Sequence, residues 1–177
     1  MNDAQTKKPK VIPEGYTSVT PWIISLSSER LIEFMKTAFN AEEIQNSRVY
    51  NEDGSIGHVE VRIGNAVVML FDAKKDWLPT PSLLRLYVED GDKVFQKSVE
   101  AGAKPITQMT KLFFGDNVGR VKDPFGNIRW IQERVEEFKY ENFQELISKA
   151  TAPEALEAMK YVQSTLDEEM RKEPIAK

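Results

Sequence analysis

The sequence predicts an α+β protein of two modules, each a strand, a helix and three further strands, followed by a C-terminal helical extension. The main observation is that two landmarks recur at one interval. Gly64-Asn65 returns 62 residues later as Gly126-Asn127, and Asn40-Ala41 returns as Gly102-Ala103. A common offset at two separate landmarks indicates an internal duplication of about 60 residues. From Glu136 onward the chain is instead dense in Glu, Lys, Ala, Leu and Met, a composition typical of helices.

The first module begins with a strand and a helix. Residues Thr17–Ile24 are rich in β-branched and aromatic side chains, which is typical of strands. Ser27 and Ser28 can cap a helix that extends to Asn40. One face of this helix carries apolar side chains at i, i+4 spacing, namely Leu31, Met35 and Phe39.

Further strands and a tight turn complete the first module. From His58 to Ile63, polar and apolar residues alternate with a period of two, which predicts a strand with one polar and one apolar face. The Gly64-Asn65 pair favours a tight turn into a second strand over Ala66–Phe71. A connection that contains proline, Trp77–Pro81, ends the module.

The second module repeats this order. A helix is predicted at Asp92–Ala101 and strands at Leu83–Val88, Pro105–Met109, Gly119–Val121 and Ile128–Gln132. The segment Asp123-Pro124-Phe125-Gly126 resembles a catalytic motif, but its residues are those that turns prefer. We therefore interpret this segment as structural.

The C-terminal extension contains a long amphipathic helix. Thr151-Ala152-Pro153-Glu154 is a capping box with a proline near the first turn. Apolar residues follow at helical spacing, namely Leu156, Met159, Val162, Leu166 and Met170. We expect this stripe to pack on the protein's own sheet or on a partner subunit. The alternative is a mobile lid over a ligand cavity.

Composition excludes several kinds of site. The chain has no cysteine, which excludes disulfides, thiolate nucleophiles and cysteine-ligated metals. Its one histidine, His58, cannot build a site that needs two histidines. The formal charge of −4 argues against a dedicated nucleic-acid binder. Because the longest apolar run, Ala66–Phe71, is too short for a bilayer and no signal peptide is evident, we expect a cytoplasmic protein that binds no membrane.

Five stretches of the chain resemble, in the same order, the vicinal oxygen chelate superfamily, in the PhnB-like branch of its glyoxalase, bleomycin resistance and dioxygenase family. They are GYTSVTPWII, FMKTAFNAEE, GSIGHVEVRIGNAVVMLFD, LRLYVEDGDKVFQKSVEAGAKP and FFGDNVGRVKDPFGN. The resemblance implies that residues 16–135 form two βαβββ modules with a curved mixed sheet. It also implies a homodimer. Composition predicts a flexible arm before the modules (1–15), which is polar and contains prolines, and the helical extension after them (136–177).

The resemblance also implies where a metal would bind. Enzymes of this family hold their metal on inward-facing histidines and glutamates of the first, fourth, fifth and eighth strands. The corresponding positions here are Thr20, Met69, Leu83 and Trp130. None of these side chains is a normal ligand of a divalent ion. We therefore expect no metal and no other cofactor.

Strand periodicity predicts a mostly apolar, aromatic cavity in place of a metal centre. Arg85, between two leucines, would be its fixed cation, which suits a flat or anionic ligand. The predicted lining is Trp22, Glu60, Met69, Phe71, Arg85, Tyr87 and Trp130. The alternatives are that the aromatic and methionine side chains fill a core and that Arg85 forms an internal salt bridge, for example to Glu60. His58 is either a surface residue or a general base.

These residues support three functional hypotheses and identify no catalytic group. The first is a metal-free protein that binds a small organic molecule, aromatic or anionic, without turnover, as the resemblance to antibiotic-resistance proteins implies. The second is a divergent metal-dependent lyase or dioxygenase of the vicinal oxygen chelate class. The third is a regulatory or structural dimer that acts through its C-terminal helix.

Overall fold

The computed structural model describes residues 10–77, 80–137 and 143–172. The first module contains β1 (Trp22–Ser25), α1 (Ser28–Phe39), β2 (Glu42–Glu43), β3 (Val49–Tyr50), β4 (Ile56–Ile63) and β5 (Ala66–Asp72). The second contains β6 (Leu83–Tyr87), α2 (Gly91–Glu100), β7 (Lys104–Lys111), β8 (Asp116–Lys122) and β9 (Ile128–Arg134). The extension forms α3 (Phe143–Ala150) and α4 (Pro153–Met170). Parts of the predicted arm (1–9) and of the predicted connection (78 and 79) lie outside the described residues.

The two modules form two sheets of equivalent topology. The strand order is β1-β5-β4-β2 in the first sheet, where β3 also pairs with β4, and β6-β9-β8-β7 in the second. In each sheet the first strand of the module runs parallel to the last, and the other pairs are antiparallel. Asn40 and Gly102 end the two helices with positive φ, as do Gly64 and Gly126 in the two turns. Since glycine and asparagine tolerate this conformation best, the recurring pairs mark equivalent turns, as the duplication predicts.

The helix α1 has the predicted bounds but a different cap. Ser27 is the N-cap residue, yet its side chain caps nothing. Instead, a carboxylate oxygen of Asp72, at the end of β5, accepts a hydrogen bond of 2.6 Å from the backbone N–H of Ser28. This contact satisfies one of the free N–H groups at the helix start and ties α1 to the first sheet.

One hydrophobic core joins the two modules. The helices α1 and α2 contact each other, and the inner face of each sheet packs against its own helix. Val59 and Val61 of β4 are completely buried, which confirms the alternation predicted there. Ile131 of β9 is equally buried in the second sheet. The opposite face of each sheet, called the outer face below, therefore points away from this shared core.

Two local predictions were wrong. The first strand begins at Trp22 instead of Thr17, because Pro21 has no N–H to offer to the ladder and contributes only its carbonyl, which accepts from the N–H of Met69. The N-cap of α4 is Ala152 instead of Thr151. The Thr151 hydroxyl donates back to carbonyls of α3, so it terminates that helix and cannot form a capping box. None of the helices in the described ranges is long and apolar enough to cross a membrane.

An ion pair fastens the segment between β2 and β3. Two nitrogens of the Arg48 guanidinium donate to the two carboxylate oxygens of Glu43, at 2.8 and 2.7 Å. These hydrogen bonds are the largest cause of a pKa of Glu43 below its ordinary value of 4.5. Because the pKa is lower in the folded than in the unfolded chain, the pair stabilises the fold above about pH 4.5, and this contribution is lost as the pH falls through the folded value.

We expect Arg48→Met to lower the free energy of unfolding by about 1 kcal/mol near neutral pH, since the bond is bidentate and partly shielded from water. At acidic pH the loss should be smaller, because Glu43 loses its charge as the pH falls through its folded pKa. Urea denaturation at both pH values measures the difference. Lys36→Met is the control, because Lys36 approaches Glu43 only at 3.9 Å. An equal effect of Arg48→Met at both pH values would contradict this assignment.

Candidate functional site

A cavity of about 720 Å³ lies on the outer face of the first sheet. Neighbouring strands β1 and β5 contribute Trp22, Met69 and Phe71, and the following loop contributes Trp77. The ring centroid of Phe71 lies 5.6 Å from that of Trp22 and 5.9 Å from that of Trp77, with both pairs edge to face. These three rings form a continuous aromatic wall, called the aromatic wall below. It offers stacking area to a flat ligand.

Glu60 lies on the outer face of β4 beside this cavity. It accepts a hydrogen bond from the hydroxyl of Tyr16, and Nε2 of His58, which lines the cavity, lies 3.6 Å from its other oxygen. The hydrogen bond to Glu60 is the largest cause of a raised pKa of Tyr16, so Tyr16 stays a donor. Glu60 is thus engaged with the first module and, in the described part of the chain, forms no salt bridge with Arg85.

On the outer face of the second sheet, two arginines flank one tryptophan. Strand register pairs Arg85 of β6 with Trp130 of β9, and Trp130 with Arg120 of β8. The guanidinium carbon lies 4.4 Å from the Trp130 ring centroid in Arg85 and 3.8 Å in Arg120. Arg120 is only 3% exposed. Its burial, with a smaller effect of the Arg85 charge, lowers the pKa of Arg120 to about 10.

Helix α4 packs on the part of this outer face formed by β7 and β8. Val162 packs with Leu112 and Val118 of the second module, and Trp130 borders the same cluster. The hydroxyls of Thr107 on β7 and Thr165 on α4 are 2.7 Å apart. Of the two predicted surfaces for this helix, its own sheet or a partner subunit, the helix packs on its own sheet, although Leu156 and Met170 of the predicted stripe are exposed.

The predicted lining residues divide between the two sheets. Trp22, Met69 and Phe71 meet in the first cavity, with Glu60 beside it. Arg85, Tyr87 and Trp130 lie on the second sheet and do not line that cavity. Within one chain the two sets occupy separate surfaces, since both outer faces point away from the shared core.

Sequence reasoning did not include Trp77 and Arg120 in the predicted site. Trp77 lies in a loop, where no periodicity assigns a side chain to a face. Arg120 lies in a strand that was predicted too short, over Gly119–Val121, so its orientation was not considered. Alternation with the buried neighbour Val121 is the signal that could have placed Arg120 on the outer face.

The four positions that the resemblance predicts for the family's metal ligands carry side chains that do not suit a metal. Thr20 precedes β1, Met69 lies in the aromatic cavity and Leu83 is exposed at the start of β6. Trp130 is flanked by two guanidinium groups, whose positive charge opposes a cation there. Among the described residues, no group of three or more acidic or histidine side chains could hold a metal ion. We therefore derive no chemical step through a metal.

Two βαβββ modules of equivalent topology, packed around one shared core, define a class of paired-module proteins. The family model of the glyoxalase/bleomycin resistance protein/dioxygenase superfamily matches residues 25–131, and the chain belongs to this superfamily. Helices α3 and α4 lie outside the matched residues. An uncharacterized protein of Mycobacterium bovis is 31% identical over 142 residues, which cover 74% of this chain and 92% of that protein.

Solved structures show the same fold. TioX from Micromonospora sp. ML1 is 18% identical with a TM-score of 0.56, and the match covers 67% of this chain and 98% of TioX. A PhnB protein from Bacillus cereus, described as a putative 3-demethylubiquinone-9 3-methyltransferase, is 16% identical with a TM-score of 0.54, covering 66% and 99% of the two chains. At these identities the likeness concerns the fold, and the PhnB-like branch stays a prediction.

Proposed function

We propose that this protein binds a small organic molecule with an aromatic or anionic group and does so without a resident metal. The observation that carries the proposal is the aromatic wall, which stands in an open cavity of about 720 Å³. This volume lies in the usual range for small-molecule sites. The proposal is further supported by the side chains at the predicted metal positions, of which three are apolar and one is a threonine, because a divalent ion prefers carboxylate, imidazole or thiolate donors.

We propose also that the protein acts as a homodimer. Trp22 on the first outer face and Leu83 and Tyr87 on the second are 61%, 57% and 63% exposed. Large apolar side chains grouped on an open sheet face favour contact with another protein surface. A second copy related by a twofold axis could place its second outer face against the first outer face of this chain, and both cavities would then be closed equally.

Elemental analysis and native mass spectrometry of the protein purified without chelators test this proposal. The expected result is a dimer without a near-stoichiometric transition metal and with an additional organic mass. A near-stoichiometric transition metal would contradict the metal-free proposal and favour the alternative of a metal-dependent lyase or dioxygenase.

We expect Trp22→Ala to weaken binding of the aromatic anion anilinonaphthalene sulfonate about tenfold, because the ligand loses one ring of the aromatic wall. Fluorescence titration of the dye measures the affinity. Trp22→Phe should retain most of it, since a ring remains edge to face with Phe71. The matched control is Leu156→Ala, which removes an exposed apolar side chain from α4. Equal affinities of Trp22→Ala and the unmodified protein would contradict a site at the aromatic wall.

The pair of His58 and Glu60 favours a second candidate function. An imidazole beside a carboxylate at a cavity wall can act as a general base. A lyase without a metal would use it to remove a proton from a bound molecule. Turnover of the organic molecule found by mass spectrometry, abolished by His58→Gln with its binding retained, would favour the enzyme over the binding protein.

A further inference from the structure

The two guanidinium groups beside Trp130 have no acidic partner in the described part of the chain. Arg85 is exposed, and its guanidinium carbon lies 4.4 Å from the centre of the indole ring. Arg120 is buried, and its Nη1 donates to two neutral acceptors, the Thr107 hydroxyl at 3.1 Å and the Val162 carbonyl at 2.7 Å. A buried guanidinium is normally paired with a carboxylate or phosphate.

Two buried donors at the same place lack any acceptor. They are Nε of Arg120 and Nε1 of Trp130. A buried donor without a partner costs free energy, and a charged one costs more. Together with the exposed guanidinium of Arg85, these groups form a set of donors around one indole ring. An anionic group offers acceptor oxygens to donors of this kind.

Two acidic side chains of the surrounding elements, one on β8 and one on α4, are already paired. Asp116 of β8 accepts a hydrogen bond from Gln132 and lies 3.9 Å from Arg134. Glu169 of α4 accepts from Lys122 and Lys172. These carboxylates therefore do not balance the charges of the two arginines beside Trp130.

Helix α4 lies over the Arg120 side of this set of donors. It is joined to the second sheet by a small apolar cluster around Val162 and by polar contacts such as the ion pair between Glu169 and Lys122. Of its side chains, only Val162 and Glu169 are buried. The backbone carbonyl of Val162 in α4 accepts a hydrogen bond from Arg120, in the place where an anion oxygen could bind. Because α4 lies outside the residues that the superfamily model matches, this cover is an addition to the shared fold.

We propose that Arg85, Arg120 and the indole N–H of Trp130 form a binding site for a carboxylate or phosphate group, and that α4 covers this site until the anion replaces the Val162 carbonyl. Arg85 is accessible first, and Arg120 and Trp130 complete the site when α4 moves. The proposal rests on the proposed function, which it deepens by naming the chemical group that anchors the ligand.

Fluorescence of Trp130 tests the site in the full-length protein. Trp22→Phe and Trp77→Phe leave Trp130 as the only tryptophan, so that its emission reports on the second outer face. Benzoate and inorganic phosphate are titrated separately, which distinguishes a carboxylate site from a phosphate site. We expect a saturable change with at least one of them. The absence of a saturable change with both would overturn the proposal.

Two substitutions and one control assign the binding to these side chains. Arg85→Gln and Arg120→Gln should each weaken anion binding at least about tenfold, because each removes a charged donor. Arg85 is exposed, so its variant keeps the fold even if Arg120→Gln does not. The control is Arg30→Gln, since Arg30 lies over the ring of Phe125, at 5.7 Å, away from Trp130. Equal weakening by Arg30→Gln would overturn the assignment.

A reversible disulfide crosslink tests whether α4 must move before the anion binds. Thr107→Cys with Thr165→Cys places two thiols where adjacent hydroxyls now lie, and the chain contains no other cysteine. Oxidation should hold α4 on β7 and weaken anion binding at least about tenfold, and a reductant should restore it. Unchanged binding in the oxidised protein would overturn the role of α4.

The outcomes separate this inference from the proposed function. Anion binding at Trp130 without any organic ligand in native mass spectrometry would support the site and contradict the proposed function. An uncharged organic ligand at the aromatic wall, without anion binding at Trp130, would support the proposed function and contradict the anion site. Anion binding that appears only after Glu60→Gln would show that Glu60 of a second copy neutralises the arginines, and would overturn the inference.

Discussion

Replacement of Asp123 by alanine is expected to lower the free energy of unfolding by about 3 to 5 kcal/mol. The side chains of Asp123 and Arg129 are 0% and 1% exposed and form an ion pair of 2.8 Å. Without the carboxylate, the guanidinium of Arg129 stays buried, and among the described residues it keeps only the hydroxyl of Ser82 as a hydrogen-bond partner. The N–H groups of Phe125 and Asn127, which donate to the same carboxylate, also lose their acceptor.

Urea denaturation followed by circular dichroism measures this loss. The matched control is Asp53→Ala, because Asp53 precedes a glycine in a turn and accepts from the N–H of Ser55, but does so in full contact with solvent. We expect the control to leave the unfolding free energy nearly unchanged, since water replaces the lost acceptor. Similar losses in the two variants would show that burial of the pair is not the source of the effect.

The role of Asp123 illustrates what the sequence could predict. Its segment was interpreted as a structural turn from residue preferences alone, and the hydrogen bonds confirm that interpretation. Turns, helix ends and strand alternation depend on neighbours in the chain, so local patterns predict them. The same reasoning explains why the ends of α1 and the faces of β4 were predicted correctly.

The arrangement of the second outer face could not be predicted in this way. Arg85 and Trp130 were both expected in one site, but their direct contact follows from the register of parallel strands 45 residues apart. The second arginine beside Trp130 follows from the register of a third strand. Register depends on packing across the sheet, and the docking of α4 depends on a tertiary surface. Neither is encoded in a short segment.

The capping box predicted at the start of α4 was wrong for a local reason. Thr151 satisfies the motif, but its hydroxyl is used by the preceding helix α3, which the sequence analysis did not separate from α4. A residue between two helices can serve only one of them. The sequence therefore contains the capping motif, but in the folded protein the Thr151 hydroxyl is not free to cap α4.

Replacement of leucine by alanine should cost much more stability in the shared core than on an outer sheet face. Leu70 of β5 is 0% exposed and packs in the core shared by the modules. We expect Leu70→Ala to lower the free energy of unfolding by about 2 to 5 kcal/mol, because the lost methyl groups leave a cavity. Leu83→Ala removes the same atoms from an exposed position on the second outer face. It should cost less than about 1 kcal/mol in dilute protein.

Urea denaturation of both variants at several protein concentrations extends this comparison to assembly. If a second copy covers the outer faces, the loss caused by Leu83→Ala should grow with concentration, because association stabilises only the folded chain. The loss caused by Leu70→Ala should be the same at every concentration, because it comes from packing inside one chain. A large loss from Leu83→Ala at all concentrations would contradict the assignment of Leu83 to an open face. A small and constant loss would instead argue against its burial in a homodimer.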